Sequence, residues 1–259
     1  MGKEKYDLIC SLGGNCAAAH NLRYRNLRDA SYPFDWTYFN SDEAVYILAD
    51  SFKNGFENYM LKENLKELPV NPSHPDKIQY EDCFGKIVWA NHFSYGKDRE
   101  KNYSEVKLKY DKRFKRLVNS VKKSDKILFI FCSAFEVNQD SFSYLLNTLH
   151  NIYPKKHFDI KVIAFNCQED KILKINNLEI YYNTRDLNEY DFGKTNFEWR
   201  FLDSIKIRRQ FFKTPCLQII PIKKGVCINI LPAVFRIINI KMYIFGFRLS
   251  IAIGENKDF

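Results

Sequence analysis

Tyr6-Asp7-Leu8-Ile9-Cys10-Ser11-Leu12-Gly13-Gly14-Asn15-Cys16-Ala17-Ala18-Ala19-His20-Asn21-Leu22 is the stretch on which the fold turns. Residues 6–12 are a short apolar run with β-type residues. Gly13-Gly14 breaks it, and the alanine- and leucine-bearing segment that follows has helical character. The order is strand, glycine turn, helix. Residues 126–132, Lys-Ile-Leu-Phe-Ile-Phe-Cys, are an almost unbroken apolar run and read as a strand buried on both faces. Residues 158–166 read as a second buried strand and 178–183 as a shorter one. Helices are expected between them. Residues 104–121 carry Val106, Tyr110, Phe114, Leu117 and Val121 at spacings of three and four, and residues 140–153 carry Phe142, Leu145, Leu146 and Leu149. Strands and helices in alternation predict an α/β fold, three-layer α/β/α, with a mostly parallel sheet.

Other segments fill this frame. Pro33 makes residues 31–36 a loop. Ser41 reads as an N-cap for a helix that buries Val45, Leu48 and Phe52, with Asp42 and Glu43 at the positive end of its dipole. Three prolines between residues 69 and 75 mark a surface loop, and residues 78–93 hold two strands. Thr195 and Glu198 form a capping box opening a helix with Phe197, Phe201 and Ile205 inward. The expected organisation is an α/β domain over residues 1–204 and a basic, aromatic-rich extension over 205–259.

The chain has 259 residues, of which 46% are hydrophobic and 16% aromatic, enough to build a core and to exclude global disorder. Ten Gly and eight Pro exclude collagen-like and low-complexity classes. The formal charge of +9 suits an anionic partner. Residues 205–259 contribute ten Lys or Arg against Glu255 and Asp258 alone. That segment reads as a tail on an anionic membrane surface or on a partner, or else as edge strands whose charges face water. Seven cysteines, with no C-x-x-C pair, read mostly as reduced core thiols and argue against zinc. No cofactor or metal is expected. The charged N-terminus has no signal-type apolar region, and no uncharged apolar run reaches about 18 residues, so no membrane span is expected and the localisation reads as cytoplasmic. Residues 97–126 interleave five acids with their bases, which argues against nucleic acid.

The chemistry points to the same opening stretch. A Cys at the start of a helix lies among unpaired backbone N–H groups, which stabilise a thiolate or an oxyanion. Gly14-x-Cys16-x-Ala18 echoes the strained elbow that presents a nucleophile. Cys16 is therefore the candidate nucleophile, with Gly13, Gly14 and Asn15 around the oxyanion; a buried structural Cys behind a glycine turn is the competing reading. His92, at the end of an expected strand, is the preferred base. His20, four residues along the Cys16 helix, competes but has little freedom to approach the sulfur. Asp35 is the candidate acid to orient the imidazole or bind substrate, unless it merely caps the next helix. Trp36 offers a stacking surface, and Arg23 and Arg28 can hold phosphate or carboxylate.

Ser11 to Cys16, Leu22-Arg23, Leu27-Arg28 and Ser31-Tyr32-Pro33-Phe34-Asp35-Trp36 together resemble a bacterial family of unknown function labelled papain-like cysteine peptidase. The likeness extends to about residue 165. It implies a nucleophile at Cys16 and a histidine partner, matched here by His92. Residues 241–251, Lys-Met-Tyr-Ile-Phe-Gly-Phe-Arg-Leu-Ser-Ile, are similar to the tails of bacterial proteins that build capsule and lipopolysaccharide, which implies a surface-polysaccharide setting and an anionic or glycan-linked substrate. The expectation is a thiol hydrolase or acyl-transfer enzyme. A glycosyl- or phosphoglycosyl-type transferase with Cys16 structural, and a non-catalytic accessory protein, are the alternatives.

Overall fold

The computed structural model describes residues 4–187 and 197–208, together with the backbone of four strands beyond residue 215. In chain order the first part contains β1 (Glu4–Tyr6), β2 (Leu8–Ser11), α1 (Ala17–Tyr24), β3 (Thr37–Phe39), α2 (Glu43–Asn54), β4 (Leu65–Glu67), β5 (Lys77–Asp82) and β6 (Ile87–Ser94). It continues with α3 (Arg99–Lys123), β7 (Lys126–Ser133), α4 (Gln139–Ile152), β8 (His157–Ala164), β9 (Lys171–Ile175), β10 (Leu178–Tyr182), a 3-10 helix (Phe197–Ser204) and β11 (Ile205–Ile207).

The fold is α/β. Its main sheet has the order β2-β7-β8-β10-β9; the first four strands run parallel and β9 returns antiparallel at the edge. The period of two along each strand divides its side chains between two cores. Leu8 and Cys10, Phe129 and Phe131, Ile160 and Val162 face a cluster shared with α2, α3 and α4. Ile9, Leu128, Ile130 and Ile163 face a second one, closed by Ala17, Ala18 and Leu22 of α1 and by Trp199 and Leu202. The apolar stripes expected on α2, α3 and α4 are all buried.

A second sheet, β3-β6-β5-β4, is antiparallel throughout. The sequence predicts two strands over residues 78–93, and with a mostly parallel sheet expected, the strand that ends near His92 would belong to it. That premise is corrected: β6 belongs to the antiparallel sheet. β6 also carries a bulge. Ile78 and Tyr80 of β5 pair with Phe93 and Trp89, so four steps along β6 face two along β5, and His92 falls within the irregularity.

Other local expectations change too. Asp42, not Ser41, is the N-cap of α2, and its carboxylate accepts from the Asn138 N–H and the Ser141 hydroxyl at the start of α4. Thr195 lies outside the described residues. The segment after it is 3-10 rather than α-helical, and Ile205 opens β11, which pairs in parallel with β1. Residues 209–259 form a separate compact unit, in which Cys216–Ile222 pairs antiparallel with Gly225–Leu231 and Ile240–Ile244 with Phe247–Ile251. No helix of the described residues is long and apolar enough to cross a membrane.

The turn between β2 and α1 demands its glycines. Gly13 and Gly14 have φ of 91° and 85°. A Cβ on Gly14 would sit 2.1 Å from the carbonyl oxygen of Cys132. Gly14→Ala is therefore expected to cost more than about 3 kcal/mol through combined backbone strain and main-chain collision, read as a fall in Tm by circular dichroism.

Candidate functional site

The turn leaves β2 at its carboxyl end, beside the carboxyl end of β7. This is the edge of a parallel sheet where ligands collect. Asn15 fixes it. Its Nδ2 donates to the Cys132 carbonyl at 2.8 Å and faces Cys132 Sγ at 3.2 Å, while its Oδ1 accepts from the Ala17 N–H at 2.8 Å. The Asn15 side chain thereby caps α1 and ties it to β7. Cys16 is the N-cap residue, with helical φ and ψ of −75° and −12°. Among the described residues, the N–H groups of Gly14 and Asn15 have no hydrogen-bond acceptor.

The Cys16 thiol is half-buried. Burial pushes its pKa up, against the Tyr38 hydroxyl and its own backbone N–H, which pull it down. Tyr38 responds in kind: burial and the neighbouring thiol push its pKa up to about 12. No imidazole is among the groups that act on Cys16. His20 lies one turn along α1, its backbone N–H donating to the Cys16 carbonyl at 3.0 Å. Burial, then Arg23, lower the His20 pKa.

The remaining candidates are dispersed. His92 has Lys109, Tyr110 and Arg113 as its neighbours, and nothing from the Gly13–Cys16 turn. Asp35 is almost fully buried, and its carboxylate accepts from Arg28 Nη2 and, at 2.8 Å, from the Tyr32 N–H. It does not touch His92; it closes its own turn, and Arg28 is taken up as its counter-ion. Phe34, beside it, packs on Phe39, Phe56, Tyr59, Trp89 and Phe114 at centroid distances between 5.6 and 6.4 Å. The Tyr32–Trp36 loop is thus an aromatic plug between α3 and the antiparallel sheet. Trp36 is half-buried and stacks on no ring among the described residues, and Arg23 is exposed.

Two participants escaped the sequence reading. Tyr38 is two residues beyond Trp36, on a strand too short to show alternation. Cys132, at the end of the strongest predicted strand, offered no sign that it meets Asn15. The five described cysteines, Cys10, Cys16, Cys83, Cys132 and Cys167, are free thiols. No metal-binding group of three acids, histidines or cysteines occurs among the described residues.

A family model described as "Putative papain-like cysteine peptidase (DUF1796)" matches residues 7–170, which include Cys16, Asp35 and His92. An uncharacterized protein, R408, of Acanthamoeba polyphaga mimivirus is 25% identical over 138 residues, 48% of this chain and 60% of its own length. The chain thus spans about three fifths of that relative. No solved structure matches.

Two outcomes follow from the electrostatics. Alkylation of Cys16 by iodoacetamide, followed by mass spectrometry, should titrate above the ordinary thiol value. Tyr38→Phe should raise the midpoint further, because the lost hydroxyl favours the thiolate. Arg28→Met should cost about 3–5 kcal/mol, since it leaves the Asp35 carboxylate buried without its cation. Burial already holds the Asp35 pKa above its ordinary value, with Arg28 opposing. A carboxyl raised in the folded state binds more protons there than in the unfolded chain. The variant should therefore lose stability as pH rises from 3.8 through the raised pKa, measured by urea unfolding.

Proposed function

The chain belongs to the family described as putative papain-like cysteine peptidases, and from that premise we propose that it is a thiol hydrolase or acyl-transfer enzyme with Cys16 as nucleophile. The observation that carries this reading is the setting of Cys16. It starts a helix at the carboxyl end of a parallel strand, behind two glycines, with the Gly14 and Asn15 amides unpaired beside it. Attack by Sγ forms a C–S bond to an acyl carbon and puts negative charge on the carbonyl oxygen. The two amides and the α1 dipole stabilise that charge. Collapse re-forms the carbonyl, expels the leaving group with a proton, and leaves a thioester for water or an acceptor nucleophile.

The thiol proton needs an acceptor. A raised pKa means the thiol keeps its proton until attack, so transfer accompanies C–S bond formation. His20 is assigned this role in preference to His92. It lies one turn away on the same helix, burial and Arg23 lower its pKa, and its ring has to rotate onto the sulfur, since no imidazole acts on Cys16 in the resting arrangement. The Tyr38 hydroxyl favours the sulfur's anionic form. Asp35 and Arg28 act by fixing the neighbouring loop.

One observation favours a second reading. The thiol is disfavoured as an anion, as expected of a structural Cys. The Gly14 and Asn15 amides with Arg23 would then hold the phosphate of a sugar-linked donor, as in a glycosyl- or phosphoglycosyl-type transferase of surface-polysaccharide assembly. A three-layer arrangement, a cytoplasmic location and a basic tail from residue 205 at the inner membrane surface belong to this wider proposal, as does a purely accessory role in that pathway.

The test is acylation by p-nitrophenyl acetate, read as an acetyl adduct on Cys16 by peptide mapping and as nitrophenol release. Wild type should form the adduct and Cys16→Ser should not. His20→Ala should slow acylation about 10²-fold or more, and His92→Ala should leave it within about twofold. Unchanged release in Cys16→Ser, or no adduct on Cys16, overturns the proposal. Thermal stabilisation by a sugar nucleotide that survives in Cys16→Ser would support the transferase reading.

A further inference from the structure

The proposed thiol site leaves another set of polar groups unused, gathered around one ring on α3. Tyr110 is fully buried. The His92 imidazole meets its ring edge-on at a centroid distance of 5.1 Å. The Arg113 guanidinium lies 5.1 Å from the same centroid and the Lys109 ammonium 5.9 Å. Lys109 Nζ is 3.5 Å from His92 Nδ1. The polar tips are left over. His92 Nε2, Arg113 Nη1 and the Tyr110 hydroxyl are all buried without a hydrogen-bond partner among the described residues. The hydroxyl lies against Arg113 without good bonding geometry. Neither Lys109 nor Arg113 has a carboxylate in ion-pair contact among the described residues.

This is a set of donors with almost no acceptor. An ammonium can only donate, so His92 Nδ1 accepts from Lys109 and the ring proton sits on Nε2. Burial, Lys109 and Arg113 keep the imidazole uncharged. Buried donors left unmade are costly, and two cations beside a neutral imidazole repel one another. Asp35, which acts on Arg113, is the carboxylate in range, but Arg28 and the Tyr32 N–H already occupy it. What is lacking is a group with several acceptor oxygens and about two negative charges. A phosphate monoester supplies both; a carboxylate supplies half the charge.

We propose that His92, Lys109, Tyr110 and Arg113 form an anion site that takes the phosphate of a small phosphorylated ligand. Two elements supply the site: β6 carries His92, within the irregular stretch of its pairing, and α3 presents Lys109 and Arg113 four residues apart, on one face. His92 is then a neutral hydrogen-bond donor to phosphate, and the site is independent of Cys16 chemistry.

The experiment titrates inorganic phosphate into the full chain at pH 7.5 and constant ionic strength. The readouts are thermal unfolding and the His92 ring signals in ¹H–¹⁵N spectra, assigned with His92→Gln. Wild type should show a saturable rise in Tm, with a His92 shift at the same midpoint. Lys109→Gln should weaken binding at least tenfold, and Arg113→Gln should abolish it. Cys16→Ser should respond as wild type does, which separates this site from the amides at Gly14 and Asn15. Vesicles of phosphatidic acid serve as the lipid arm and should leave the His92 signals in place. A non-saturable rise, a His92 signal that does not move with phosphate, an equal response in Lys109→Gln, or a response to vesicles alone would overturn the proposal.

Discussion

Two neighbouring carbonyls hold the two sheets together. The Gly13 carbonyl accepts from the Cys132 N–H at 3.1 Å and the Gly14 carbonyl accepts from the Phe39 N–H at 3.2 Å. One bond reaches β7 of the parallel sheet and the other reaches β3 of the antiparallel sheet. The positive φ values that allow both favour glycine, and the missing Cβ atoms that allow the approach are a property of glycine alone. Asn15 adds a third link, to the Cys132 carbonyl. The position of Cys16 follows from these bonds more than from any contact its own side chain makes.

Charge near the core is handled in two ways. Arg28 and Asp35 neutralise each other, and the pair locks a loop without leaving either free for chemistry. Around Tyr110 the cations outnumber their partners, and the imbalance is spread over an aromatic face and an uncharged imidazole. The first arrangement is self-contained; the second is complete only with an anion.

Much of this was legible in the residues. The run at 126–132, the apolar stripes of α3 and α4, and the strand–glycine–helix order at residues 6–22 each carry a period or a break that local physics imposes. The antiparallel sheet was harder to see. β3 and β4 have three residues each, too few to alternate, and β6 carries a bulge that spoils its register. The Thr195–Glu198 pattern promised an α-helix, whereas from Phe197 the chain is a 3-10 helix that buries Trp199 and Leu202 ahead of β11. At the site, Gly14 and Cys16 announced themselves through spacing. Tyr38 and the Asn15–Cys132 link did not, because long-range contacts leave no local trace. Asp35 misled for a related reason: a carboxylate in an aromatic loop looks available until its arginine, seven residues earlier, is seen to bind it.

The link from Asn15 to Cys132 joins residues 117 apart in the chain. Closing so long a loop carries an entropic cost before its contacts give anything back. During synthesis, the first helix and its cysteine leave the ribosome well before the strand that will fix them. Until residue 132 emerges, Asn15 lacks its anchor on β7 and the thiol its neighbouring sheet, and the cysteine behaves as any exposed one. Whatever reactivity the finished turn confers is thus withheld from the growing chain by topology alone.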